Sequence, residues 1–176
     1  MKARKIINGT LAALIMATLG ASQAHAVDGK QYGGSMCVRF AGATAVLPKL
    51  NGSRILNPEK TVLSLDCPAV HDVTGKGIKS GFVDVIDQNF VNNTANDRNS
   101  QVCAELASVS QVGSSTITFR SAGRKCTTGA NSVSQRLTFG GLPADSNAHY
   151  FYSVSLPPPF NGAQSALISY KIDEDE

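Results

Sequence analysis

The sequence predicts an all-β protein: an antiparallel β-sandwich, with a jelly roll as one form of it, built from eight or nine short strands and held by two disulfides. Three observations lead there. Apolar residues recur at every second position in short runs, the pattern of half-buried strands. Turn-forming residues separate the runs at intervals close to those of sandwiches and barrels, and no stretch shows a convincing helical period. Beyond residue 26 the chain holds four cysteines, an even number.

Residues 1–26 read as a secretory signal peptide. Lys2, Arg4 and Lys5 make a basic start, the apolar run is densest from Leu11 to Leu19, and Ala24-His25-Ala26 has the small-x-small form that places cleavage after Ala26. The run is shorter than the ~20 residues that span a bilayer, and no second one follows, so no membrane insertion is expected after cleavage. The leader also carries the charge excess. The chain has 16 Lys+Arg and 13 Asp+Glu; three of the basic residues and none of the acidic ones lie in the leader, so the remainder is neutral. No cationic field is left to draw nucleic acid or an anionic membrane, and little repulsion keeps copies apart, which leaves self-association open. Residues 27–176 suit one domain. Trp is absent, and abundant Ser, Thr, Val, Gly and Asn favour strands and turns.

Val27–Ser35, Gly-rich and polar, reads as a flexible N-terminal arm that the fold can lose, leaving 36–176 as the sandwich domain. Met36–Phe40 is a first strand with Met36, Val38 and Phe40 on one face, continued by Ala43–Leu47. Lys49–Glu59 holds the turn dipeptides Asn51-Gly52 and Asn57-Pro58. Thr61–Val70 organises the rest: Leu63, Leu65 and Cys67 face one way, Val62, Ser64 and Asp66 the other, and Pro68, with no N–H for a ladder, is expected to stop it. His71–Lys79 is a loop. Ser80–Asp87 is a strand with Phe82 and Ile86 on one face, Val83 and Val85 on the other.

Gln88–Gln101 is a long polar loop containing Asn92, Asn93, Asn96 and Asn99. Val102–Val109 carries Cys103, with Val102, Ala104 and Leu106 sharing a face. Ser114–Arg120 alternates at Ile117 and Phe119. Ser121–Ser134 reads as a Gly- and Thr-rich connection around Cys126, and Gln135–Phe139 turns Leu137 and Phe139 inward. Gly140–Asn147 is a turn region. Tyr150–Leu156 aligns Tyr150, Tyr152, Val154 and Leu156. Pro157–Gln164 is a rigid loop with an Asn161-Gly162 turn. Ala166–Ile172 puts Ala166, Ile168, Tyr170 and Ile172 together, and Asp173–Glu176 is an acidic end for solvent.

Four cysteines in an exported chain point to disulfides. Of the three connectivities, Cys37–Cys67 and Cys103–Cys126 join segments nearby in sequence, and each bridge contributes ~3–4 kcal/mol in the chain-entropy account. A metal site is the alternative, but there is no Cys-x-x-Cys, and His71 and His149 are not at ligand spacing from any cysteine. No Gly-x-Ser-x-Gly elbow, His-Glu-x-x-His or phosphate-cradling glycine loop occurs, so no cofactor is expected. His71 and His149 are the candidate bases, read as loop or strand-end residues. Asp84 and Asp87 are the candidate acid pair, but strand parity sends them to opposite faces. Asp66, Asp72, Asp84, Asp87 and Asp97 are oxygen ligands in search of a calcium loop that the sequence does not contain. Asn51-Gly52-Ser53 and Asn92-Asn93-Thr94 fit the glycosylation sequon.

Cys67-Pro68-Ala69-Val70 with Asp72, Cys103-Ala104-Glu105-Leu106, and the ending Leu156-Pro157-Pro158 through Ile168-Ser169-Tyr170-Lys171-Ile172-Asp173-Glu174 resemble a loose group of small exported bacterial proteins of unknown function. The resemblance implies an exported β-domain and brings no activity. The resemblance implies a cysteine just before Leu-Pro-Pro; here the stretch is Ser153-Val154-Ser155, which leaves Cys126 as the substitute partner for Cys103.

Three functions are weighed. The first is a non-enzymatic structural or interaction protein of the periplasm, cell surface or medium, whose partner is a protein, a polysaccharide or another copy, with Val27–Ser35 as a segment for strand exchange. The second is a carbohydrate-binding module, with Tyr32 and Phe160 as the exposed aromatic contacts. The third is a carboxylate-dependent hydrolase, for which the sequence carries no catalytic motif.

Overall fold

The computed structural model describes residues 29–40, 48–72, 75–89, 97–113, 116–128 and 131–174; residues 1–26, read from sequence as a leader, and Ala43–Leu47 lie outside them. Among these residues eleven strands form: β1 (Gly29–Gly33), β2 (Val38–Arg39), β3 (Lys49–Asn51), β4 (Arg54–Leu56), β5 (Leu63–Ala69), β6 (Ile78–Asp87), β7 (Cys103–Val112), β8 (Thr116–Cys126), β9 (Asn131–Leu142), β10 (Ala148–Leu156) and β11 (Ala166–Glu174). One sheet runs β3-β4-β11-β6-β9, with β1 added to β11; the other runs β2-β5-β10-β7-β8. The pairings are antiparallel. No helix among the described residues is long and apolar enough to cross a membrane.

The two sheets close on one core because each strand turns alternate apolar residues the same way. Leu63, Leu65 and Cys67 of β5, Leu106 of β7 and Tyr152 with Leu156 of β10 face Val83 and Val85 of β6, Phe139 of β9, and Leu167, Tyr170 and Ile172 of β11; all are buried. Two phenols tie one sheet to the other. Tyr152 Oη donates to Lys171 O at 2.8 Å, and Tyr170 Oη donates to Pro68 O at 2.9 Å. A buried Tyr thus finds the partner its hydroxyl requires. Disulfides join Cys37 to Cys67 and Cys103 to Cys126.

Several elements differ from the sequence reading. Pro68 does not stop β5, which runs on to Ala69. The ladder to β2 reaches only Asp66 and Leu65, so no rung of that ladder requires an N–H from Pro68. Gly29–Gly33 is no loose arm: β1 pairs with β11 in register from Gly29↔Asp173 to Gly33↔Ser169. The acidic end is likewise not all in solvent. Glu174 is buried, and its Oε1 accepts from Lys30 Nζ at 2.7 Å and from the Asp72 N–H at 3.3 Å.

Ile168 is not inward with Tyr170. The ladder between β11 and β6 shifts register between Leu167 and Ser169, so Leu167 takes the core position and Ile168 is only half-buried. Ser121–Cys126, read as connection, continues β8. Of Met36–Phe40 only Val38–Arg39 is strand, Met36 lying in a short 3-10 turn, and Met36, Val38 and Phe40 are all exposed. The expected turn is present: Asn161 (φ 50°) and Gly162 (φ 80°) close a bridge between Phe160 and Ala163.

Candidate functional site: the outer face of the five-stranded sheet

The residues that β10 does not give to the core are His149, Phe151 and Ser153, and they face outward. The ladder registers then decide their neighbours. Phe151 lies between Pro68 on β5 and Ala107 on β7, His149 lies beside Val109, and Ser153 lies between Asp66 and Glu105. Val109 is opposite Phe119 and Gln111 opposite Ile117 on β8, while Val38 is opposite Asp66 on the other flank. The face therefore divides. One half is apolar, from Pro68 and Phe151 through Val109 to Phe119 and Ile117. The other half carries hydroxyls and charges: Ser153, Asp66, Glu105 and Arg124.

A shallow depression of about 400 Å³ lies where the halves meet, lined by Val38, Asp66, Pro68, Val109, His149 and Phe151. A second hollow of about 290 Å³ adjoins it through Val109 and is lined also by Ser110, Gln111, Ile117 and Asn147. The His149 and Phe151 rings are 18° from parallel with centroids 6.2 Å apart. Val38, Phe119 and Ile117 are 62%, 59% and 72% exposed. These exposed apolar side chains lie on one face, which is what a contact surface requires.

The charges on this face are not alike. Glu105 is engaged, accepting from Ser121 Oγ at 2.6 Å and pairing with Arg124 at 3.5 Å. No hydrogen bond or ion pair from a described residue reaches the Asp66 carboxyl. Partial burial beside Val38, Pro68 and Phe151 holds its pKa above the usual carboxylate range.

The other residues singled out from sequence sit elsewhere. Tyr32 is half-buried on β1, stacked on Tyr170 at 5.0 Å, and its hydroxyl accepts from the Val70 N–H; it is not an exposed platform. Phe160 is half-buried in the turn before β11. His71 packs its ring 4.8 Å from Tyr150. Asp84 is held by both Nε and Nη2 of Arg136, at 2.8 and 2.9 Å, and by Ser169 Oγ. Asp87 is fully buried and accepts from the Asn89 N–H, Ser165 Oγ and Thr127 Oγ1. Asp97 caps its own turn through Asn99 and Ser100, and Asp72 meets Lys30. The five aspartates are thus dispersed, and among the described residues no three His, Cys, Asp or Glu side chains are grouped to hold a metal ion. Asn51 is exposed at the end of β3, before the turn to β4; Asn92 lies outside the described residues. The outward series His149, Phe151, Ser153 was open to reading by parity, because Tyr150, Tyr152 and Val154 already take the inward positions.

No protein-family model and no curated protein matches the sequence. Among solved structures, the chain is similar to a low-affinity xylan-binding module from the gut symbiont Roseburia intestinalis, with 12% identity and a TM-score of 0.45 over 84% of this chain and 96% of that one. It is also similar to the CBM36-1 domain of a multidomain xylanase from the hindgut metagenome of Trinervitermes trinervoides, with 11% identity and a TM-score of 0.47 over 85% and 99%. A family two carbohydrate esterase from Cellvibrio japonicus gives 8% identity and a TM-score of 0.41 over 84% of this chain and 33% of that one.

Proposed function

We propose that the protein is an exported, non-catalytic binding protein that holds a polysaccharide chain across the outer face of its five-stranded sheet. The observation that carries this reading is the in-register division of that face. A pyranose ring has apolar C–H faces and a rim of hydroxyls, so it needs an aromatic or aliphatic surface beside hydrogen-bonding groups. Phe151, Val109 and Phe119 supply the surface; Asp66, Ser153, Gln111 and Asn147 supply the groups. The depression is open and continues into the second hollow, which suits a chain passing over rather than a molecule enclosed. Asp84 and Asp87 are committed to internal hydrogen bonds, which argues against a paired-acid mechanism. Two disulfides and the leader-like first 26 residues support export to an oxidising compartment.

The test is retention of the oxidised protein on a panel of immobilised plant, fungal and bacterial polysaccharides, followed by calorimetry. Phe151→Ala is expected to weaken binding by about 1–2 kcal/mol, roughly five- to thirtyfold in Kd, with its fold checked by circular dichroism. No retention on any member, or full affinity in Phe151→Ala, overturns the reading.

One observation favours a second reading, a protein partner or another copy. Strand β8 is the outer strand of its sheet and exposes Ile117 and Phe119 along an edge open to pairing. Light scattering after size exclusion across a concentration range separates the two. A mass that rises with concentration favours assembly through β8; a constant monomer leaves the polysaccharide reading.

A further inference from the structure

We infer that the polysaccharide carries free amino groups, and that the Asp66 carboxylate beside the Phe151 ring seats one of its ammonium groups; this rests on the binding reading above. Three features of the depression converge on a cation. Asp66 has no partner among the described residues, although the neighbouring acid, Glu105, has both a hydroxyl and a guanidinium. It lies among Val38, Pro68 and Phe151, which cover part of its water shell and offer it no hydrogen bond in return. The Phe151 ring in the same depression attracts an organic cation through its quadrupole.

A neutral hydroxyl could donate one hydrogen bond to Asp66. An ammonium donates up to three and cancels the charge, which makes it the stronger complement in a site partly removed from water. The ligand must also be sugar-like rather than a bare cation. The adjoining hollow offers Gln111 and Asn147, neutral groups suited to hydroxyls, next to Ile117 and Val109. A lysine side chain would use Asp66 and leave those groups idle. The depressed half of the face thus reads the amine, and the hollow reads the ring that bears it.

The experiment compares chitosan oligosaccharides with fully N-acetylated oligomers of the same length and with neutral glucan oligomers. It uses calorimetry on the wild type and on Asp66→Asn, with oligolysine as a separate arm. The free amine form is expected to bind at least about tenfold more tightly than the acetylated form, and the preference is expected to weaken as salt rises. Asp66→Asn keeps the side-chain shape and faces outward, so it should fold normally; it is expected to erase the preference for the free amine form over the acetylated form. Equal binding of acetylated and free amine forms, or a preference that survives Asp66→Asn, overturns this inference while the polysaccharide reading stands. Oligolysine binding as tightly as the amino oligosaccharide overturns it in favour of a cationic peptide. Failure of every oligosaccharide to bind removes the polysaccharide reading and this inference with it.

Discussion

Gly81 on β6 and Tyr152 on β10 face each other across the core, and together they test whether the inter-sheet hydrogen bond holds the sandwich in register. A Cβ at position 81 would stand 1.9 Å from Tyr152 Oη, 2.8 Å from Lys171 O and 3.2 Å from Tyr152 Cζ. No real Cβ sits that close to an oxygen, so in Gly81→Ala the phenol must move by more than 1 Å, on the order of a full hydrogen-bond tolerance. It has nowhere to go. Tyr152 is fully buried, its ring edge-on to Phe139 at 5.4 Å and to Tyr170 at 5.8 Å. The hydroxyl then loses Lys171 O, at about 1–3 kcal/mol for a stranded buried donor, and the crowding adds about 1–3 kcal/mol. Gly81→Ala should therefore destabilise by about 2–6 kcal/mol.

Tyr152→Phe alone should cost about 1 kcal/mol. The double variant has no hydroxyl to displace, so it should lose less than the sum of the two, with an interaction energy on the order of −1.5 kcal/mol. The assay is urea unfolding of the oxidised proteins, with the midpoint read at constant slope. Additivity within about 0.5 kcal/mol would refute the reasoning, as would a Gly81→Ala protein of unchanged midpoint.

Two further predictions concern buried polar groups. Lys30→Met removes a partner of Glu174, whose side chain is fully buried, and should lower stability by about 3 kcal/mol; Lys30→Met with Glu174→Leu should recover most of it. A loss in the single variant of less than about 0.5 kcal/mol in urea melts would show that this contact does not anchor β1. The second concerns alkali. Burial pushes Tyr170 up to about 12 and Tyr152 higher still, whereas an unfolded chain ionises its phenols near 10.0. The unfolded state then releases protons first, so stability present below pH 10 falls as pH climbs from about 10 through 12. Absorbance at tyrosinate wavelengths should rise for these two residues together with loss of the β circular dichroism signal. Ionisation of all four tyrosines near pH 10 in a native protein would contradict it.

The buried polar atoms also separate structure from chemistry in this molecule. Asp84, Asp87, Asp97 and Glu174 differ in burial, yet each has internal donors in place. A carboxylate satisfied by the fold is a structural element. Asp66 is set apart by the opposite condition, partial burial without such donors, and it lies on the face where ring and aliphatic side chains are exposed.

Local periodicity located all or part of β5 to β11, though not β1, β3 or β4, and it separated the two sides of several of them. Leu63, Leu65 and Cys67, the series Tyr150, Tyr152, Val154 and Leu156, and Leu137 with Phe139 face the core as alternation requires, and Asn161-Gly162 makes its turn, because parity and left-handed backbone preference are properties of neighbouring residues. Alternation does not say which side of an isolated strand is inside, and so Met36, Val38, Phe40, Ile117 and Phe119 end on an open surface. One register shift between Leu167 and Ser169 exchanges the fates of Leu167 and Ile168, since a slip of one residue reverses every side chain beyond it. Contacts between distant segments are harder still. Glu174 is sheltered because β1 arrives from the other end of the chain with Lys30, and Gly29–Gly33, polar and Gly-rich, has no periodic signal to announce a strand. The candidate site belongs to this second class. Val38, Asp66, Val109, Phe119 and Phe151 come from five strands, and what makes them one surface is the hydrogen-bond register between β2, β5, β10, β7 and β8, a pairing set by how the whole core closes rather than by any stretch of the chain.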